Sequence, residues 1–310
     1  MGVVLTLALF LTQALNGLQL GILLFLLAAG LTLVFGIMNF VNLAHGSLYM
    51  MGAYFAAAVF NWTGSFVLAG VVAVPATMLL GVVVERIALI RLYGRDHLDQ
   101  VLATFGLILF FNELARIIWG PGSVYMNAPP ALTGTVNLFG LPYPSYRFAI
   151  IVVGLLVGGG LYWLIHRTRV GMLIRAGATH PEIVAALGIN VRGLNTIVFG
   201  LGAALAGLAG LMAGPIASVQ PGMGEPVLIL TLVVIVTGGI GSIRGAFYGA
   251  LIVGMVDTVG RAFLPGLLRE FLERSLAQAA GPAIASMLIY VLMAVVLAIR
   301  PQGLFPARSG

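Results

Sequence analysis

The chain has 310 residues, 61% of them hydrophobic and only 8% charged, with a formal net charge of +6. A water-soluble domain carries about a quarter charged residues, so a bilayer must be the solvent for nearly the whole chain. Lysine and cysteine are absent, which excludes the phosphate-gripping lysine of a P-loop, thiolate catalysis, disulfides and cysteine metal sites.

The apolar stretches are too long and continuous for alternating barrel strands, and backbone groups in hydrocarbon must be satisfied within each segment. The expected fold is therefore an all-α polytopic membrane protein with about 8–10 transmembrane helices, some of them discontinuous. Spans are placed at 16–35, 45–60, 66–90, 100–118, 147–165, 194–214, 227–239, 245–263 and 283–299. Residues 3–15 lengthen the first span or lie beside it. The start, Met1-Gly2-Val3-Val4, lacks a basic n-region and a small-residue cleavage site, so it reads as retained. The stretches 45–60 and 227–239 are short for a crossing and adjoin Gly- or Asn-rich interruptions.

The arginines set the expected orientation. Arg86, Arg91, Arg95, Arg167, Arg169, Arg175, Arg192, Arg244, Arg300 and Arg308 fall on one side, against Arg116, Arg147, Arg261, Arg269 and Arg274 on the other. The richer side should be cytoplasmic. The positive balance is thus read as membrane topology and not as nucleic-acid binding. The proline-rich loop 119–146 then faces outward, as does the polar stretch from Arg269 to Arg274, which reads as an interfacial helix.

In chain order, the first informative segment runs from Gly36 to Tyr54. If it is helical, Asn39, Asn42, His45 and Tyr49 share one face by their spacing of three, three and four. Such a stripe either lines a polar path or caps a broken helix and bonds a neighbour. A weak echo of residues 44–49 recurs at 243–248, each a break, a glycine and a new apolar helix; paired interruptions of this kind mark substrate paths.

The loop 166–193 comes next. Thr179 and Glu182 form a capping-box pattern, Pro181 suits a first turn and Gly188 suits a left-handed stop. A helix of about eight residues is expected at 180–187, too short to cross. Glu182→Ala should then weaken it by about 1 kcal/mol. With Ile183, Val184 and Leu187 on one side it either docks into a partner's groove or packs on its own protein.

Further on, the glycines at 200, 207, 210 and 214 recur at helical spacing and read as close packing. The run from Thr237 to Ala250 reads as a helix break, with Gly239, Gly241 and Ser242 at its centre. It lacks the Lys and preceding strand of a phosphate loop. Glu113 lies three residues from Arg116 and Asp257 four from Arg261, which are helical neighbour spacings. Glu85 and Arg86 close a span at its edge and anchor it. No triad order, acid pair or ligand cluster supports catalysis, a metal or a cofactor.

Three stretches, Leu31 to Tyr54, Arg169 to Pro215 and Gly238 to Gly254, together resemble the permease subunits of branched-chain amino-acid ABC importers, the LivH type. The likeness carries Asn42, His45 and Gly46; Arg175, Ala176, Gly188 and Ile189; and Gly238 through Ser242. Arg244 stands where that family commonly has proline, and Ser47 replaces a frequent acidic residue. The resemblance implies an ABC importer permease fold in one transmembrane domain, 1–310, with a cytoplasmic coupling loop at 166–193. It implies a subunit that is not itself an enzyme and that moves a solute by alternating access in the cytoplasmic (inner) membrane. Branched-chain amino acids come first, although members of such families also carry urea, amides and aromatic acids. The implied partners are a second permease subunit, identical or homologous, two cytoplasmic ABC ATPases, an external solute-binding protein and the lipid bilayer.

Asn39, Asn42, His45, Tyr49, Gly239, Gly241 and Ser242 are the expected pathway residues. Arg175, Ala176, Thr179, Glu182, Ala185, Ala186 and Gly188 are the expected ATPase contact. A secondary transporter or channel is the alternative, weakened by the missing coupling-ion residues; an intramembrane enzyme has only scattered His and Asp in its favour.

Overall fold

A computed structural model describes residues 2–138 and 140–306. Met1, expected to be retained, and Arg308, one of the arginines that set the orientation, lie outside the described residues. Eleven α-helices appear among the described residues. They are α1 (Gly2–Met38), α2 (His45–Thr63), α3 (Phe66–Ile87), α4 (His97–Trp119), α5 (Ser145–Arg167), α6 (Arg169–Thr179), α7 (Pro181–Ala186), α8 (Val191–Ala213), α9 (Gly224–Gly238), α10 (Ile243–Leu268) and α11 (Arg274–Ile299). Each of the nine expected spans corresponds to one helix, and most helices run several residues beyond the expected limits.

Seven of these helices, α1, α3, α4, α5, α8, α10 and α11, are long and apolar enough to cross a membrane. The helix α9 has 15 residues, which at 1.5 Å per residue falls short of a hydrocarbon core about 30 Å thick. The helix α2 has 19 residues, yet its mean hydropathy is held down by His45, Ser47, Tyr49, Tyr54 and Asn61.

Two helices form the centre. In the most apolar window of α1, 72% of residues are buried, and in that of α8, 78%, against 11% in α11 and 17% in α10. Apolarity does not decide which helices are central, because lipid accepts an apolar face as readily as protein does, and α3 and α11 are nearly as apolar as α1 yet 22% and 11% buried. Close approach makes the enclosure possible. Gly52 meets Gly207 where α2 crosses α8, Gly210 faces the Tyr49 carbonyl, and a methyl group on Gly30 would stand 2.7 Å from the Gly202 oxygen. The glycines at 200, 207, 210 and 214 thus serve the packing expected of them.

Within the proline-rich loop 119–146, β1 (Thr135–Leu138) and β2 (Leu141–Pro144) pair antiparallel, with Thr135 opposite Pro144 and Leu138 opposite Leu141. The strands are only four residues each and β2 carries Pro142 and Pro144, so the alternation of Thr135 to Leu138 is too short to mark a hairpin. The hairpin is pinned to α1, because the Tyr143 hydroxyl and Arg147 Nη1 donate to Asn16 Oδ1 at 3.2 and 2.8 Å. One expectation fails: the stretch 269–274 is not an interfacial helix. There α10 continues to Leu268, residues 269–273 turn, and α11 starts at Arg274. Pro265 and Pro282 sit inside these two helices, where neighbouring segments compensate for the lost backbone bonds.

Candidate translocation pathway and coupling site

Four of the expected pathway residues, Asn39, Asn42, His45 and Tyr49, fall at or just after the break between α1 and α2. Asn39 ends α1 in the left-handed region, with φ +46, a conformation that Asn tolerates better than most residues. The chain then runs non-helically to Ala44 before α2 begins at His45. The expected single helical face therefore does not exist: Asn39 and Asn42 lie in the break, and only His45 and Tyr49 share a helix. Asn39 is exposed, whereas Asn42, His45 and Tyr49 are buried at 1%, 1% and 5% exposure.

The burial is costly in a particular way. His45 Nε2 donates to the Leu27 carbonyl at 3.2 Å, which leaves Nδ1 as the acceptor of the neutral ring. That Nδ1, and both Oδ1 and Nδ2 of Asn42, are buried without a protein partner. Thr32 Oγ1 on α1 and Thr237 Oγ1 at the end of α9 are in the same condition. Each such atom costs about 1–3 kcal/mol when left unsatisfied. Thr32 and Thr237 escaped sequence reading, since a lone Thr in an apolar helix usually bonds its own backbone, as Thr77 and Thr231 do here.

The second break, residues 239–242, stands against the last turn of α1. A methyl group on Gly36 near the end of α1 would lie 3.0 Å from Gly241 Cα. Gly239 and Gly241 take φ +112 and +80, and Ser242 caps α10 by accepting from the Gly245 amide at 3.0 Å. This break is closed by residues 304 and 305, a contact that no local sequence pattern announces. Leu304 N donates to the Thr237 carbonyl at 2.9 Å and Phe305 N to that of Gly238 at 2.8 Å.

A further polar group sits where the arginine-rich loops begin. Glu85, 0% exposed, accepts from the Tyr93 hydroxyl at 2.6 Å and from Thr196 Oγ1 of α8 at 3.0 Å, with Arg86 Nε 3.6 Å away. Burial and the Glu85 carboxylate together push the Tyr93 phenol well above its usual range, so it remains a donor. Phe40 of the first break packs edge-on against Tyr93 at 5.5 Å between centroids, and the Val41 amide donates to Gln100 Oε1 at 3.1 Å. The edge anchor expected of Glu85 thus also joins the first break to the foot of α8. The neighbour pairs Glu113–Arg116 and Asp257–Arg261 form at 2.9 and 2.7 Å.

The loop 166–193, expected to carry one short helix, holds two. The first, α6, is capped by Thr168, which accepts from the Gly171 amide at 3.1 Å, and Arg175 Nη1 donates to the Ile165 carbonyl. The second, α7, covers six residues, shorter than expected. Its capping box is absent: the N-cap is His180, with no side-chain cap bond. Thr179 belongs to α6, where its hydroxyl donates to the Arg175 carbonyl at 3.0 Å. Gly188 does adopt φ +81 and ends the helix. Glu182, Ala185, Ala186 and Gly188 are exposed and Ala176 is half-buried. Ile183 and Leu187 are exposed at 56% and 74%, while Val184 packs inward at 4%. Among the described residues, no group of three His, Asp or Glu side chains is placed to hold a metal ion.

A bundle of membrane-crossing helices with two broken segments, and a helical loop projecting from one end, defines a polytopic transporter subunit. The sequence profile of the family described as "Branched-chain amino acid transport system / permease component" matches residues 13–297. The chain belongs to that family. It is 31% identical to the high-affinity branched-chain amino acid transport system permease protein BraD of Pseudomonas aeruginosa, over 81% of this chain and 86% of that one. It is 30% identical to the corresponding permease LivH of Escherichia coli K12, over 82% and 87%. At 27% identity, over 75% and 72%, it also matches the ribose import permease protein RbsC of Escherichia coli K12. No solved structure gives a significant match. Membership makes the chain a multi-pass inner-membrane permease component of an ABC importer, which works with ATPase and binding-protein partners and is not itself an enzyme. The secondary-transporter and channel reading falls away.

Proposed function

We propose that this chain forms, over 1–310, one transmembrane domain that pairs with a second permease subunit and passes branched-chain amino acids inward by alternating access, driven by two separate cytoplasmic ATPases. The observation that carries the pathway is the set of buried polar atoms without protein partners at Asn42 and His45, beside a helix break that faces α1. Polar groups held in this way at membrane depth are available to a solute or to water, and in spans they turn toward paths and not toward lipid. Asn39, exposed at the head of the break, and Tyr49, one turn into α2 from His45, extend the same route. Gly239, Gly241 and Ser242 form the opposing break. Work enters through the loop 166–193, where α7 offers Ile183 and Leu187 beside Ala185 and Ala186 to an ATPase groove. Arg175 and Ala176 on α6, Thr179 at its end, Glu182 and Gly188 complete that contact.

The test is leucine uptake into vesicles containing the permease pair, the ATPases and the binding protein. Uptake should require ATP and all components, and ribose should not compete. Leucine uptake that persisted without the ATPases would overturn the reading. Ala185→Trp should leave insertion intact and reduce uptake or ATPase binding; wild-type values for both would make α7 a connector only.

A further inference from the structure

The helices α5 and α10 both pack against α1 and leave a groove between them, a cavity of about 560 Å³. Its floor is Phe25 of α1, which meets Phe247 of α10 edge-to-face at 5.1 Å. One wall is α5 at Leu155, Gly158 and Gly159; Gly159 is exposed, and a methyl group there would meet nothing within 4 Å. The other wall carries Tyr248, stacked at a tilt on Phe305 with 4.9 Å between centroids. Both helices are among those long and apolar enough to cross the membrane, so the groove opens toward lipid.

One end differs. Arg244, exposed at the start of α10, donates from Nη2 to the Tyr162 hydroxyl at 2.9 Å, and its guanidinium carbon lies 5.6 Å from that ring's centre. Tyr162 in turn stacks on His166 at 4.1 Å. Among the described residues no carboxylate pairs with Arg244, and no acidic side chain lines the groove. The guanidinium is therefore held in place by a neutral phenol, with most of its five N–H groups free for an anion. An apolar trough as wide as the gap between two helices, ending in an oriented, uncompensated cation at the arginine-rich end of the bundle, has the polarity of one molecule class that a membrane supplies. That molecule is a phospholipid, with its acyl chain along Phe25 and Gly159 and its phosphate at Arg244. We infer that the α5–α10 groove is a binding site for an anionic phospholipid. The inference is separate from the transport reading, because Asn42 lies in the break after α1, His45 begins α2, and none of the proposed pathway residues lines the groove.

Native mass spectrometry of the full chain in detergent, with dioleoyl phosphatidylglycerol or dioleoyl phosphatidylcholine added, reads the site directly. One phosphatidylglycerol should be retained per chain, with the zwitterionic lipid held less well. Arg244→Gln should weaken phosphatidylglycerol binding about fivefold, the scale of one basic residue near an anionic headgroup, and Arg244→Lys should preserve it. Gly159→Trp fills the trough and should lower binding of both lipids. Gly160→Trp, on the same helix but outside the groove, should not. Equal binding of the two lipids that is unchanged by Arg244→Gln would overturn the inference, and so would wild-type binding in Gly159→Trp. Displacement of the lipid by inorganic phosphate would assign the cation to a free anion instead. The chain has no cysteine, so Gly159→Cys gives a clean last check: a disulfide-linked dimer formed in native membranes would mean that a second copy covers the groove, and would also overturn it.

Discussion

The two helix breaks solve one problem in opposite ways. At 239–242 the polar groups freed by the interruption are backbone carbonyls, and they are satisfied from within: two amides of the tail bond Thr237 and Gly238, and Ser242 caps the next helix. At 39–44 the groups left over belong to side chains, and Asn42 and His45 keep atoms with no protein partner although both are 1% exposed. A break can therefore be a joint that the fold completes, or a place where the fold withholds completion. Since an unsatisfied buried group costs about 1–3 kcal/mol, the first break, with three such atoms on Asn42 and His45 against the single Thr237 Oγ1 beside the second, stores more instability and is the better candidate for chemistry with a solute.

The largest expected effect comes from damaging the completed joint. Gly239 sits at φ +112, and a methyl group there would lie 2.8 Å from the Phe305 carbonyl oxygen. Gly239→Ala should cost about 3 kcal/mol, through backbone strain together with the displaced tail. A thermal melt of the purified protein would show it, and an unchanged Tm would mean that the joint is not closed as described. The opposite sign is expected at the first break. Asn42→Leu replaces an unpartnered amide by an apolar group of similar size, so stability should rise by about 1 kcal/mol. Leucine uptake should fall on the order of tenfold, the equivalent of one lost hydrogen bond to the solute. A protein that is stabilised and transports normally would remove Asn42 from the pathway. The smallest effect belongs to the third interruption, at 180. Because Glu182 closes no capping box, Glu182→Ala should change stability by only about 0.3–0.5 kcal/mol, through its place near the helix N-terminus. A loss of 1 kcal/mol or more in a denaturant or thermal series would restore the cap.

Local signals were readable in the sequence, and contacts between distant segments were not. The nine spans follow from continuous apolar length, and the first break follows from Asn39, Asn42 and His45 amid apolar neighbours. Gly188 was legible because few residues other than glycine hold a left-handed stop cheaply. The capping box failed for a reason that spacing does not show: the Thr179 hydroxyl had a carbonyl available one turn back, at Arg175, and took it. The shared face of Asn39 and Tyr49 failed because the same polar residues that mark the stripe also end the helix meant to carry it. The knot at Glu85 was half visible, as a carboxylate at the edge of a span. Its partner Thr196 is 111 residues away, and nothing in the local pattern points there. In the same way Asn112 Nδ2 donates to Glu225 Oε1 at 2.5 Å, tying α4 to the first turn of α9.

The tail that closes the second break also sets an order of events during biogenesis. The carbonyls of Thr237 and Gly238 reach the membrane with α9, yet the amides that satisfy them belong to Leu304 and Phe305, beyond α10 and α11. A ribosome delivers these partners only after both later helices have been threaded into the bilayer. Until then the α9–α10 corner holds open backbone at the arginine-rich end of the bundle, where water can stand in. The α9–α10 corner is therefore completed only after α10 and α11 have followed α9 into the membrane.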